Sequence, residues 1–108
     1  MLIERRKTKS CQTRTEQAVA KTITTVEGAS GPVVNAVRDA WHRRHVVQCG
    51  CCEPGQTLAA VLLPESNSAP DYSAIDAWMS ENLCRCGTYS ADPGRHSRGR
   101  LPIAISTT

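Results

Sequence analysis

Five of the six cysteines lie in two short segments, and this grouping constrains the fold more than any other feature of the sequence. Cys49 and Cys52 form a C-x-x-C pair with Cys51 between them, and Cys84 and Cys86 form a C-x-C pair. The two pairs can converge on one centre if the helices between them run antiparallel. Four thiolates in one place suit zinc or an iron–sulfur cluster, and the spacing alone leaves both metals open.

The composition explains why a chain of this kind needs such a centre. It has 108 residues, enough for one domain, but only 4% are aromatic and none is Phe. A small and weak core often depends on a metal or a disulfide. The basic N-terminus has no apolar stretch behind it, so we expect no secretory signal and a cytoplasmic protein. Disulfides are rare in that compartment, which favours metal binding or redox use of the cysteines.

Charge and hydropathy exclude several classes of partner. The net charge of +3 is too small to indicate nucleic-acid binding, and no apolar run is long enough to span a membrane. Residues 95–100 are basic but lack interleaved aromatic residues, so we expect no nucleic acid and no membrane partner. Residues 90–108 are predicted to be a basic, disordered tail.

The N-terminal part gives weaker signals. Residues 1–21 are polar and basic, which predicts a poorly ordered terminus. Residues 21–27 are rich in β-branched side chains and could form a short strand that ends at Gly28. No partner strand is visible in the sequence, so an extended linker is the alternative.

A first helix is predicted over residues 32–45. Proline suits the first helical turn, where its missing N–H is not needed. Val34, Val37 and Trp41 follow at spacings of three and four residues, which places them on one apolar face.

Two further helices follow the first cysteine segment. One begins near Pro54 and is expected to stop at Pro64, since proline clashes with the preceding turn. The next opens with Ser73 and Asp76, which are spaced like a capping box, and its pattern ends at Cys84. Its predicted buried stripe consists of Ile75, Trp78, Met79 and Leu83.

Both cysteine segments carry further residues that resemble a known family. Residues 48–56 read QCGCCEPGQ and residues 82–89 read NLCRCGTY. Together they resemble the small iron–sulfur subunit of molybdenum hydroxylases, which include xanthine dehydrogenase, aldehyde oxidoreductase and isoquinoline 1-oxidoreductase. The likeness extends from Cys11 to Tyr89, and the alpha subunit of the isoquinoline enzyme is the nearest of these types.

The resemblance implies an all-α domain over residues 31–89, a four-helix bundle that holds one 2Fe-2S cluster. It also implies that Gln48 and Cys86 face a molybdopterin cofactor, which belongs to a large partner subunit. Catalysis takes place in that partner, so the chain is expected to be a non-catalytic electron-transfer subunit of an oxidoreductase. The ligands implied for the cluster are Cys49, Cys52, Cys84 and Cys86.

The chain departs from the family pattern in several places. Family members begin with a ferredoxin-like domain that holds a second cluster, and residues 1–30 retain only an extended remnant of it. Cys11 matches the last ligand of that cluster and is expected to be a free thiol. Cys51 stands where the family usually has tyrosine; it could compete as a ligand, but we expect it to be a spare thiol. The turn at 92–94 and the basic tail replace the family's fourth helix, which we expect to be degraded.

Two other interpretations stay open from the residues. The cysteines could form a structural zinc site in an interaction module, or the chain could be a truncated fragment without function. Iron and sulfide in the purified protein would favour the electron-transfer interpretation, whereas one zinc would favour the first alternative.

Overall fold

A computed structural model describes residues 1–43, 45 and 47–84. Three expected features lie outside these residues: the fourth helix, Cys86 and the tail over residues 90–108. The described part contains a small antiparallel sheet, a 3-10 turn at Ser10–Gln12 and a set of α-helices. The strands are β1 (Leu2–Ile3), β2 (Arg6–Lys7) and β3 (Ile23–Thr24), and the helices are α1 (Thr15–Ala18), α2 (Pro32–Arg43), α3 (Glu53–Ser66) and α4 (Tyr72–Met79).

The three strands form a sheet in the order β2-β1-β3, so the prediction of an all-α fold is wrong in this respect. Leu2 of β1 lies opposite Lys7 on one side and Thr24 on the other, both in antiparallel register. Glu4 and Arg5 join β1 to β2 with φ of 50° and 61°. A two-residue hairpin needs such positive values, which usually require Asn-Gly or Asp-Gly. The pair Glu-Arg therefore gave no hairpin signal.

The expectation of a poorly ordered, extended N-terminal segment is also wrong. Ile23–Thr24 forms the strand that its β-branched side chains indicated, and the partner that the sequence did not reveal is β1. The backbone N–H of Glu4 donates to the carbonyl of Thr22 at 2.9 Å. Leu2 is buried at 8% exposure in a cluster with residues of α2 and α3. Burial of this side chain fixes the sheet on the helices.

Helix α2 begins at the predicted residue and ends earlier than predicted. Gly31, with φ of 119°, turns the chain into Pro32, and the N–H of Asn35 donates to the carbonyl of Gly31 at 3.0 Å. The helix ends at Arg43 rather than at residue 45, because His45 has a φ of 49° that no α-helix accommodates.

Helix α3 continues past the proline that was expected to stop it. It begins at Glu53, directly after Cys52, and runs through Pro64 to Ser66. The proline removes one backbone donor only two residues before the end of the helix. The N–H of Asn67 closes the last turn on the carbonyl of Leu63 at 2.9 Å. Because Leu63 is buried at 2% exposure, packing holds the final turn in place.

Helix α4 has a different cap and a shorter extent than predicted. The carboxylate of Asp71 accepts a hydrogen bond from the N–H of Ala74 at 2.8 Å, so Asp71 is the N-cap and the predicted capping box at Ser73 is wrong. The helix ends at Met79, and Leu83 is 84% exposed instead of buried. The remaining members of the predicted stripe pack inward.

Helix α3 is the centre of the described fold, with α2, α4 and β2 packed against it. Two clusters of buried apolar side chains form the core. The larger consists of Val37, Ala40, Trp41, Ala59, Ala60, Leu63, Ile75 and Met79, and the smaller of Leu2, Ala29, Val34, Leu58 and Leu62.

In the described part of the chain, every helix is too short or too polar to cross a membrane.

Candidate metal centre

The loop between α2 and α3 presents the first group of candidate ligands. Cys49 and Cys51 are exposed there, and Cys52 is half-buried as the N-cap of α3. Gly50 has a φ of 82°, which favours glycine, and the N–H of Glu53 donates to its carbonyl at 3.3 Å. This turn delivers the thiols to the N-terminal end of a helix, where the backbone N–H groups favour negative charge.

Cys49 and Cys51 contact each other across Gly50. The backbone N–H of Cys51 donates to Sγ of Cys49 at 3.5 Å. The pKa of the Cys51 thiol is raised, mainly by a hydrogen bond with the Cys49 side chain and further by the charge of the Cys49 thiolate. An ionised Cys49 therefore makes deprotonation of the neighbouring Cys51 less favourable.

The second cysteine segment reaches the start of α3 through a glycine. A Cβ atom placed on Gly55 would lie 3.0 Å from Oδ1 of Asn82, closer than ordinary van der Waals contact. Gly55 lies in the first turn of α3, and Asn82 lies two residues before Cys84. The absence of a side chain at Gly55 thus lets the segment that carries Cys84 approach the helix that begins after Cys52.

Trp78 fixes the position of this second segment relative to α3. Its indole Nε1 donates to the carbonyl of Ala59 at 2.8 Å. Because Trp78 lies near the end of α4, this bond ties α3 to the end of α4 from which the chain continues toward Cys84.

Lys7 of β2 holds the same helix end from the other side. Its Nζ donates to the carbonyl of Trp78 at 2.8 Å, lies 4.4 Å from the centre of the indole ring and pairs with Glu81 at 3.2 Å. A cation at the C-terminal end of a helix satisfies a carbonyl without an intrahelical partner. The pKa of the Glu81 carboxyl is lowered, mainly by its hydrogen bond with Lys7 and by the charge of that lysine.

Cys11 lies on the same side of the molecule as the second segment. It is an exposed, free thiol in the 3-10 turn, and it lines a cavity of about 240 Å³ together with Gly55 and Asn82. The sequence motifs contained Gly55 and Asn82 but assigned them no role. The available signal was their position in the sequence, since Gly55 closely follows the first cysteine pair and Asn82 closely precedes the second.

The candidate ligands therefore divide into a loop group and a group after α4. Cys84 is half-buried, and Gln48 is exposed next to Cys49. Cys86, the fourth implied ligand and the second implied pterin contact, lies outside the described residues. Over residues 1–43, 45 and 47–84, no three Cys, His, Asp or Glu side chains are placed to hold a metal ion.

The chemistry of the donor set fits an iron–sulfur cluster. Thiolates are the ligands that 2Fe-2S clusters normally take, and Cys49, Cys52 and Cys84 offer three of them. The space that Gly55 leaves beside Asn82 permits the two segments to approach each other.

Comparison with known proteins agrees with this chemistry. Residues 25–91 match the family model of the 2Fe-2S binding domain. The chain is 36% identical to the nicotine 6-hydroxylase small subunit of Paenarthrobacter nicotinovorans, over 75% of this chain and 49% of that protein. It is 34% identical to the isoquinoline 1-oxidoreductase subunit alpha of Brevundimonas diminuta, over 90% of this chain and 58% of that protein.

A solved structure shows the same fold. The crystal structure of quinoline 2-oxidoreductase from Pseudomonas putida 86 matches with a TM-score of 0.73 and 35% identity. The match covers 98% of this chain and 64% of the matched chain. The chain spans about half the length of the curated relatives it matches.

Proposed function

The chain belongs to the 2Fe-2S binding domain family, and from this membership we propose that it is an electron-transfer subunit of a molybdopterin-dependent hydroxylase. It carries one 2Fe-2S cluster and passes electrons from the molybdenum site of a partner subunit. The contact between Gly55 and Asn82 supports the proposal most directly, because it joins the two cysteine segments that the cluster requires.

The proposed ligands are Cys49, Cys52, Cys84 and Cys86. A bound cluster supplies one-electron redox chemistry, and the potential depends on hydrogen bonds to sulfur, on charge and on exposure to solvent. The N–H of Cys51, which already donates to Sγ of Cys49, is one such hydrogen bond from this chain. The N-terminal end of α3 adds backbone dipoles that favour an anion beside Cys52.

The proposed domain boundaries divide the chain into three regions. We propose that residues 31–89 form the cluster-binding domain, that residues 1–30 are ferredoxin-like sequence with its linker, and that residues 90–108 are a basic tail. The sheet formed by β1, β2 and β3 lies within residues 1–30. Through Lys7 it supports the end of α4 that leads to Cys84.

The proposed partner is a large molybdopterin-binding subunit, toward which Gln48 and Cys86 would face. Exposure of Gln48 next to Cys49 supports this arrangement. The test is co-expression of the tagged chain with such a subunit, followed by affinity purification and reduction by dithionite. Co-purification with a cluster that dithionite bleaches supports the function. A cluster-loaded chain that never associates with the partner would contradict the electron-transfer role.

A further inference from the structure

We propose that Cys49 and Cys51 form a reversible disulfide while the chain carries no cluster, so that the redox state of Cys51 decides whether Cys49 can bind iron. The inference rests on the proposed role of Cys49 as a ligand. Cys51 is outside the proposed ligand set, and its thiol is therefore available for chemistry with its neighbour.

The geometry of the loop favours this pair. Sγ of Cys49 lies 3.5 Å from the backbone nitrogen of Cys51, so the Cys49 side chain folds back over Gly50 toward residue 51. Two residues that are two positions apart lie within about 7 Å of each other, the range that a disulfide can span. Gly50 has a φ of 82° and no neighbouring atom within 4 Å of the position of its missing Cβ, so the turn has room to adjust.

Exposure makes both thiols reachable by a small-molecule disulfide such as oxidised glutathione. Cys49 and Cys51 are exposed, whereas Cys52 is half-buried at the start of α3. An exposed thiolate is the nucleophile in thiol–disulfide exchange. This difference in access favours attack by Cys51 or Cys49 over attack by Cys52.

The exchange takes place in two steps that balance. The thiolate of Cys49 attacks one sulfur of oxidised glutathione, which forms a mixed disulfide and releases one reduced glutathione. The thiolate of Cys51 then attacks the Cys49 sulfur, which forms the protein disulfide and releases the second glutathione. The protein loses two electrons and two thiol protons, and the glutathione disulfide gains them. A thiol reductant reverses both steps.

The test begins with the full 108-residue chain without its cluster, incubated with oxidised glutathione. Peptide mapping by mass spectrometry is expected to find a disulfide between Cys49 and Cys51. The substitutions Cys51→Ser and Cys51→Ala remove it, and the matched control Cys11→Ser retains it. A disulfide between Cys49 and Cys52 in place of this one, or no internal disulfide, would overturn the inference.

A second measurement connects the disulfide to the ligand set. Co²⁺ serves as the probe, because its thiolate complexes absorb visible and near-ultraviolet light and it requires no sulfide that would reduce the disulfide. The reduced chain is expected to bind Co²⁺, the oxidised chain to lose that binding, and treatment with a thiol reductant to restore it. Unchanged Co²⁺ binding in the oxidised chain contradicts the switch. Failure of the reduced chain to bind Co²⁺ contradicts the ligand set of the proposed function and leaves the disulfide mapping as a separate result.

Discussion

Gly55 and Asn82 lie so close together that a Cβ atom on the glycine would be 3.0 Å from the Asn82 Oδ1. The contact joins the first turn of α3, which follows Cys52, to the segment that leads to Cys84. At this point the described structure brings the two cysteine-bearing segments of the chain close to each other. A substitution at Gly55 can therefore distinguish what cluster binding requires of this residue from what the stability of α3 requires.

The Gly55→Ala variant is expected to load less cluster without losing stability. Alanine is the better helix former by about 1 kcal/mol, so the free energy of unfolding should rise or stay unchanged. The new methyl group displaces the Asn82 side chain and with it the segment before Cys84. Cluster content is measured as visible absorbance per chain, and stability by urea unfolding.

The matched control for this variant is Gly28→Ala, whose Cβ would lie at an ordinary 3.8 Å from the carbonyl oxygen of Thr25. It should leave cluster content unchanged. Full cluster content in Gly55→Ala would show that the close approach to Asn82 is not needed by the site.

Cys84→Ser is expected to abolish cluster binding, whereas Cys11→Ser leaves it intact. Both variants replace a thiol by a hydroxyl, but only Cys84 belongs to the proposed ligand set. Cys11 lies in the 3-10 turn, exposed and free. Iron content, sulfide content and visible absorption of the two purified variants provide the comparison. Retained absorption in Cys84→Ser would refute the assignment of this ligand.

Trp78→Phe is expected to destabilise the chain by about 1 kcal/mol, since the indole N–H no longer donates to the carbonyl of Ala59. Trp78→Ala should cost more, roughly 3 kcal/mol, because it also removes the ring that packs on both core clusters and under Lys7. Urea unfolding followed by circular dichroism gives both values. Equal stability of the two variants would show that the ring contributes no packing.

Glu81→Gln is expected to destabilise the chain at neutral pH and to have no effect in acid. Lys7 holds the pKa of the Glu81 carboxyl below its ordinary value of 4.5. A lowered pKa in the folded state means that the pair stabilises the chain above pH 4.5, and that this contribution is lost as the pH falls through the lowered pKa.

Unfolding in urea at a series of pH values measures this effect, with Glu16→Gln on α1 as the exposed control. The difference in the free energy of unfolding between Glu81→Gln and the original chain should shrink between about pH 5 and about pH 3, because the Glu81 pKa is lowered in the folded state. A difference that is independent of pH would exclude Lys7 as the cause.

Local signals predicted the helices well where propensity and burial agree. Val34, Val37 and Trp41 follow a helical spacing, and all three are buried in α2 as expected. The start of α3 directly after Cys52 also followed from the sequence. Pro64 was misjudged because tertiary packing of Leu63 outweighs one missing backbone donor.

The sheet could not be predicted, because its strands are two residues long and its central strand pairs with a segment twenty residues away. Glu4 and Arg5 carry no turn signature, although both adopt positive φ. The contact between Lys7 and Trp78 could not be predicted either, because it joins residues near opposite ends of the described chain. Long-range pairs of this kind leave no periodic pattern in a single sequence.

The family could be predicted from the two cysteine segments and their motifs, and the family match confirms that resemblance, whereas the ligand set stays a prediction. The contact between Gly55 and Asn82 was not predictable, since it depends on how α4 ends. Leu83 was expected inside the helix stripe, but α4 stops at Met79 and leaves it exposed.

Metal and sulfide analysis of the anaerobically purified chain tests the central claim most directly. The account predicts a brown-red protein with two iron atoms and two acid-labile sulfides per chain, and visible absorption that dithionite bleaches. A colourless, folded protein that carries one zinc and no sulfide would contradict it.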